Sequence, residues 1–423
     1  MTRLSVACLL SLPLVLSGCS TWSRARESTP CCIQGKPVIR RQPIAWHLFD
    51  VTVLEPLEQP FHLMRSLRKL FGIPIRASNL QDGVVPDTTF FDNRDPASLT
   101  PEQVRLGPTR PEDVAQPPFR ITKPKTEGKT FGFFAEDTRG ERYLLKFDPA
   151  DAPELLSGAE VASSKLLYAL GYHVPSYEVV FLKPEELQLT DGLMAKDRDG
   201  HLTPFGEREL AALLEGQLRD GRLRVAATKI LEGEVLGPAR FKTFRDCADI
   251  RALKLAYAWI NNIDTKDHNS LLVWDGTKTV GYLIDFGTSL GADAGLGGPK
   301  TPCAGWLNIV DLKEASLEVV TLGLHQPVCD VPNAPASPSL GFFSSYLDPD
   351  RWKPYAPNVA FAEMTEDDSE WMADRLARLS RAQVEAAVAA GQYSNPADAA
   401  YLVDTLERRR RRIIHRYVNL KEK

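Results

Sequence analysis

The stretch Trp259-Ile-Asn-Asn-Ile-Asp264-Thr-Lys266-Asp-His-Asn269-Ser-Leu-Leu-Val-Trp274-Asp-Gly276-Thr-Lys-Thr-Val-Gly-Tyr-Leu-Ile-Asp285-Phe-Gly287-Thr-Ser-Leu-Gly291 decides how the rest of the chain is read. It begins as the end of an apolar helix and passes through a polar loop. Two short strands follow, joined at Asp275-Gly276, and the second ends in Asp285-Phe286-Gly287. Asp264, Asn269 and Asp285 are thereby carried to strand ends with apolar residues behind them. Two carboxylates and an amide so placed suit a divalent ion and a phosphate better than a surface turn.

Working upstream, Ile121 to Phe134 and Glu141 to Phe147 alternate like paired strands, joined at Asp137-Thr-Arg-Gly140. Between them, Gly128 and Gly132 allow the backbone close to a ligand. Asp151 to Gly171 carries an apolar stripe at helical spacing (Leu155, Leu156, Ala159, Ala162, Leu166), and His173 to Leu182 reads as a strand. Phe205 to Leu218 predicts a short helix, Leu223 to Leu231 a strand, and Cys247 to Asn261 a buried helix. Downstream, residues 292 to 357 are rich in Gly and Pro and read as loop. Helices are expected at Trp371 to Leu379, Arg381 to Ala390 and Ala397 to Tyr417, with starts at Ser380 and Asn395-Pro396. Strands with one helix first, and mostly helices afterwards, predict an α+β chain of two unlike lobes with the seam near residues 232–238.

The spacing Asp264-Thr-Lys-Asp-His-Asn269, followed across a hairpin by Ile284-Asp285-Phe286-Gly287, resembles the catalytic loop and metal-binding strand of protein-kinase-like enzymes. It is similar to the divergent branch of HipA-like kinases and phosphatidylinositol 3- and 4-kinases, whose loop lacks the usual His-Arg before the Asp. The resemblance covers about 119–291 and the helices beyond, and implies a two-lobed fold with a β-rich N-lobe and a mainly helical C-lobe. It also implies roles. Asp264 would orient or deprotonate an acceptor hydroxyl, and Lys266 would offset charge on the transferring phosphoryl. Asn269 and Asp285 would hold Mg²⁺ or Mn²⁺ against ATP or another nucleotide. Lys146, in Tyr143-Leu-Leu-Lys146-Phe147, would touch the phosphates and pair with Glu160 on the following helix. Gly128 and Gly132 would cover the phosphates, although the full G-x-G-x-x-G is absent. Residues 228–233, with Glu232, would form the hinge against which the base lies.

At 423 residues, 43% apolar and 25% charged, the chain can bury a large core, and its net charge of −4 argues against coating nucleic acid. Residues 1–18 read as a secretory signal, with Arg3 before the apolar run Leu4 to Leu16. Leu16-Ser17-Gly18-Cys19 resembles the lipobox of bacterial lipoproteins, which implies an acylated (palmitate-type) Cys19 as mature N-terminus. Ser20 then points to the outer membrane by the enterobacterial sorting pattern. Residues 19–60 are expected to be a flexible tether, and 61–118 an irregular Pro-rich extension with a helix at His62 to Phe71 and little else to pack. Residues 119–236 and 237–423 would be the two lobes.

Export places Cys31, Cys32, Cys247, Cys303 and Cys329 in an oxidising compartment. Cys303 and Cys329 flank one loop-rich segment and are the expected disulfide, though sequence cannot fix the pairing. Cys31-Cys32 either bridges to a partner or is inert. No zinc-type CxxC occurs. Arg408 to Arg412 reads as the solvated face of a helix, with binding to anionic lipid as the alternative. Besides a purely structural envelope lipoprotein whose motif matches are coincidental, two functional readings follow. One is an envelope-anchored phosphotransferase with an unidentified acceptor hydroxyl. The other is an inactive kinase-fold lipoprotein that binds a ligand or scaffolds, favoured by the scarcity of nucleotide outside the cytoplasm.

Overall fold

The computed structural model describes residues 31–39, 42–125, 130–196, 201–309, 311–325 and 337–418. The leader, Cys19, Gly128 and Cys329 lie outside these. Two lobes of different kind are present. The N-lobe is a six-stranded sheet in the order β4-β8-β3-β2-β1-β5. Its strands are β1 (Phe119–Pro124), β2 (Gly132–Glu136), β3 (Arg142–Phe147), β4 (Tyr177–Leu182), β5 (Leu187–Leu189) and β8 (Leu223–Lys229). A short ribbon, β6 (Met194–Lys196) and β7 (Leu202–Pro204), lies between the last two in sequence. The single run expected over Ile121 to Phe134 is two strands, β1 and β2. The β2–β3 turn forms where expected. Asp137 Oδ1 accepts from the amides of Arg139 and Glu141, and Gly140 supplies the left-handed backbone at φ 81°.

Period two in β3 sorts its side chains. Tyr143, Leu145 and Phe147 join Phe119 and Phe133 in one core, while Lys146 faces the opposite side, toward a helix. That helix is α5 (Leu155–Ala169), which follows four earlier ones: α1 (Ile44–Phe49), α2 (Glu55–Glu58), α3 (Leu63–Leu70) and α4 (Pro101–Leu106). Asp148, two residues beyond Lys146, caps α5. Its carboxylate accepts from the amides of Leu156 and Ser157 at 2.8 Å each and from the Ser157 hydroxyl at 2.6 Å. The strand that carries Lys146 therefore also fixes the start of the helix that carries Glu160.

After β8, residues 230–233 lead out of the sheet into β9 (Glu234–Gly237), and α6 (Glu207–Leu214) lies before it. β9 pairs with β10 (Ser270–Trp274), which pairs with β11 (Thr279–Leu283), giving the second sheet. Between β9 and β10 runs α7 (Ala248–Ile260), the buried axis of the helical lobe. Trp259 on it is fully buried and donates to the Leu406 carbonyl at 2.9 Å. Arg409 caps its C-terminus through the carbonyls of Ala258 and Trp259. Arg409 is thus a buried structural cation, whereas Arg408, Arg411 and Arg412 are exposed as a solvated face requires. Around α7 pack α9 (Val359–Ala362), α10 (Glu366–Arg378) and α12 (Pro396–Tyr417), while α11 (Arg381–Ala390) lies against α12, α5 and α4. Ser380 and Asn395 cap α11 and α12 as expected. The loop region also contains β12 (Ala292–Asp293), β13 (Gly298–Pro299) and α8 (Leu312–Val320), which composition concealed. No helix among the described residues is long and apolar enough to cross a membrane.

The N-terminal region departs most from expectation. Helices begin at Ile44, inside the proposed tether. The Pro-rich extension packs more than its composition suggests, since Val85, Phe90, Phe91 and Val104 are fully buried. Cys31 is bonded to Cys247, at the start of α7, and Cys32 is free and exposed. Cys303 is also disulfide-bonded.

Candidate active site

The site lies where β3, α5, the loop after α7 and the residues after β11 converge. Lys146 Nζ donates to Glu160 Oε1 at 2.6 Å and to Asp285 Oδ1 at 2.9 Å, so residues 139 apart in sequence meet at one ammonium. Burial alone would drive the lysine toward its neutral form, but Asp285 and Glu160 outweigh it and raise its affinity for the proton. Burial likewise pushes Asp285 up, and the charges of Lys146, Lys266 and Lys125 reverse this, leaving its carboxyl at about 2. Burial pushes Glu160 up, with Lys146 opposing. The pair is charged, desolvated and mutually dependent.

Asp285 has left-handed backbone (φ 62°), a conformation Asp tolerates better than most residues. The chain reverses there, and its amide donates to the Tyr177 hydroxyl at 3.2 Å. Phe286 drops into the core beside the Tyr177 ring, 5.7 Å between centroids. Two residues after the β11 strand, Asp285 is therefore held from both sides.

In the loop, Asn269 Nδ2 donates to the Asp264 carbonyl at 2.9 Å, and the Asn269 carbonyl accepts from the Ile284 amide at 3.0 Å. The first bond closes the loop, and the second ties it to the strand that delivers Asp285. Lys266 is ion-paired with the Asp264 carboxylate. Asp267 turns away from the site. Its Oδ1 accepts from the Phe241 amide, its Oδ2 lies 3.4 Å from His47 on α1, and burial pushes its carboxyl up to about 7. His268 also faces α1, with its ring 5.2 Å from that of His47. Asp267 and His268 are thus loop anchors, and α1 rests on the back of the 264–269 loop.

The donor set fits a divalent cation. Asp285 Oδ1 is engaged by Lys146, and among the described residues no donor approaches Oδ2. Asn269 uses its amide nitrogen internally, which leaves its amide oxygen for a ligand.

Two sequence candidates have a different character. Glu232 is exposed on the 230–233 connection, and among the described residues its one ion pair is with Lys229, at 3.8 Å, away from Lys146 and Asp285. Gly132 faces Lys146 across the β2–β3 ladder, and a Cβ there would stand 2.3 Å from the Leu145 carbonyl oxygen. Its glycine is required by strand packing beside Lys146, whether or not a ligand binds there. Gly132→Ala is expected to lower stability by about 1–3 kcal/mol in chemical denaturation. A neutral result would show that β2 shifts freely.

Two residues escaped the sequence reading. Lys125, just past β1, bonds the Thr130 carbonyl at 2.8 Å, and burial together with Lys146 lowers its proton affinity. Tyr177 is buried under Asp285. An edge lysine and a strand tyrosine carry no local signal; only the tertiary approach reveals them.

No protein-family model matches the chain, and no curated protein does. Among solved structures, it is similar to the proinflammatory kinase CtkA of Helicobacter pylori, at 11% identity over 73% of this chain and 97% of that one, with a TM-score of 0.37. It is also similar to the Golgi casein kinase, at 10% identity over 70% and 74% of the two chains and a TM-score of 0.28. The same kinase with Mn/ADP bound gives 10% identity, 72% and 74% coverage and a TM-score of 0.29. Likeness at this distance concerns the outline of the fold and transfers no activity.

Proposed function

We propose that the chain is an ATP-dependent phosphotransferase using Mg²⁺ or Mn²⁺, held at the cell envelope, in the outer membrane, by a lipid on Cys19, with a hydroxyl as acceptor. One observation carries the reading: Lys146 bridges Glu160 and Asp285 while the Asp264–Asn269 loop is bonded to the same strand. A bound nucleotide with its divalent ion would supply the phosphoryl group and neutralise its charge. Lys146 would bind the phosphates, positioned by Glu160. Asp285 and Asn269 would hold the ion. Asp264 would take the proton of the acceptor hydroxyl as its oxygen bonds to phosphorus and the bond to the leaving phosphate breaks. Lys266, paired with Asp264 and also acting on Asp285 through its charge, would offset charge on the transferring phosphoryl.

The test has two stages. Nucleotide with Mn²⁺ at about 100 times its Kd stabilises a folded protein by ~2.7 kcal/mol, a readable thermal shift. That shift is expected for the parent chain and absent for Asp285→Ala. Asp264→Ala is expected to keep the shift and to lose about 10²–10⁴-fold in transfer of labelled phosphate. Shift without transfer in the parent chain would favour the ligand-binding or scaffolding reading. No shift with any nucleotide would end the phosphotransferase reading and favour the scaffolding one.

A further inference from the structure

Helix α3 is turned inside out. Arg65 and Lys69 reach back to the protein, while Arg68 is exposed. Arg65 Nη2 donates to both carboxylate oxygens of Asp246 at 2.6 Å, and Lys69 pairs with the buried Glu363 at 2.9 Å. Its apolar residues point outward: Leu63, Met64, Leu67, Leu70 and the following Phe71 are 38–78% exposed, and no residue of the helix is buried. A surface helix of a water-soluble body shows the opposite arrangement. The preceding helices repeat the inversion. His47, Asp50 and Glu55 are buried, with Asp50 and Glu55 paired to Lys242, whereas Trp46 and Phe49 are exposed.

We infer that this face is a membrane-docking surface whose occupant is the headgroup and upper acyl region of an anionic lipid bilayer. Three observations select a bilayer. The first is reach. Cys31 is fixed to Cys247, next to the Asp246 that holds Arg65. The proposed lipid on Cys19 lies 12 residues before Cys31 (31 − 19), at most about 40 Å of extended chain. The anchor thus reaches the surface on which α3 sits. The second is charge. Residues 61–76 contain no acidic residue; Arg65, Lys69 and Arg76 are paired with Asp246, Glu363 and Asp367, and Arg68, exposed among the apolar side chains, is the cation that favours an anionic surface. The third is chemistry. Trp46, Phe49 and Phe71 offer the aromatic groups that settle at a membrane interface. The inference rests on the envelope-anchoring part of the function proposed above, and does not need the chemistry.

The experiment uses the full chain carrying Cys19→Ser, which removes the lipid and leaves the face. This protein is expected to sediment with phosphatidylglycerol vesicles, and more weakly with phosphatidylcholine vesicles. Adding Met64→Gln, Leu67→Gln and Leu70→Gln is expected to weaken that binding at least about tenfold. The melting temperature should be unchanged, because these side chains lie outside the core. A Cys19→Ser chain that stays in solution with phosphatidylglycerol overturns the inference. So does a triple variant that binds as its parent does, or light scattering in which the parent self-associates through this face and the triple variant does not, since a second copy would then be the occupant. Labelled palmitate on the unsubstituted chain tests the anchor separately. Vesicle binding without a labelled Cys19 leaves the docking face and removes the anchor, and a labelled Cys19 without vesicle binding does the reverse.

Discussion

Lys146→Ala is expected to lower unfolding free energy by about 3–5 kcal/mol, as removal of one partner from a buried ion pair generally does. Glu160 is 2% exposed, and its carboxylate is hydrogen-bonded by Lys146. Without the ammonium, it is left charged in a desolvated place, with Lys125 as a more distant cation. The deficit has a definite pH dependence. Burial already raises the Glu160 carboxyl in the folded chain, and loss of Lys146 raises it further. A carboxyl with raised folded pKa contributes stability that is present below its unfolded value of about 4.3 and is lost as pH rises through the folded value. The variant should therefore be closest to the parent in acid and furthest at neutral pH. Urea denaturation across that range checks the sign. Lys146→Met combined with Glu160→Leu should recover most of the loss, since an apolar pair of similar volume removes both desolvated charges. A double variant as unstable as the single one would show that the pair is not the source.

Arg251→Met is the second large effect, and acts at a distance from the site. The guanidinium is fully buried and gathers four partners: the Arg245 and Ile75 carbonyls, Asp246 at 3.0 Å and Asp368 at 3.4 Å. Asp368 is itself fully buried and would keep only the bonds that cap α10 from Thr365. A loss of about 3–5 kcal/mol is expected. Because Ile75 belongs to the N-terminal extension and Asp246 also holds Arg65, the extension should loosen first. Hydrogen exchange is expected to accelerate at the amides of α3 before those of α7. Uniform acceleration, or none in α3, would mean that the extension is held by the Cys31–Cys247 bond and Phe90 instead.

Periodicity and order made much of this legible in the sequence. The stripe from Leu155 to Leu166, the apolar run of α7 and the caps of α11 and α12 are local signals, and they placed those elements. The resemblance of the Asp264–Asn269 loop and the Asp285 strand to kinase-like enzymes named Lys146, Glu160 and Asp285 as partners, and those three meet at one ammonium. Other features were hidden for physical reasons. An amphipathic period has no sign, so the pattern from Leu63 to Leu70 reads the same whether its apolar face turns in or out. Arg409 sits in a run of five arginines and differs from its neighbours only by lying over the end of α7. The Phe90 ring is the partner of a missing side chain: a Cβ on Gly281 would stand 2.5 Å from it, and no composition rule pairs such residues. Glu232 lies on the exposed connection after β8, where its carboxylate is near Lys229 and nothing local in the sequence sets it apart from a solvated charge.

The bond between Cys31 and Cys247 spans 216 residues, and this sets a timetable for assembly. At roughly 5–20 residues per second, Cys247 is made roughly 10–40 s after Cys31. Through that interval Cys31 has Cys32 as its nearest thiol, and the start of α7, its eventual partner, does not yet exist. The correct bond can close only once both cysteines have reached the oxidising compartment. The end of the chain that is made first is therefore fastened late, by a residue far along the chain.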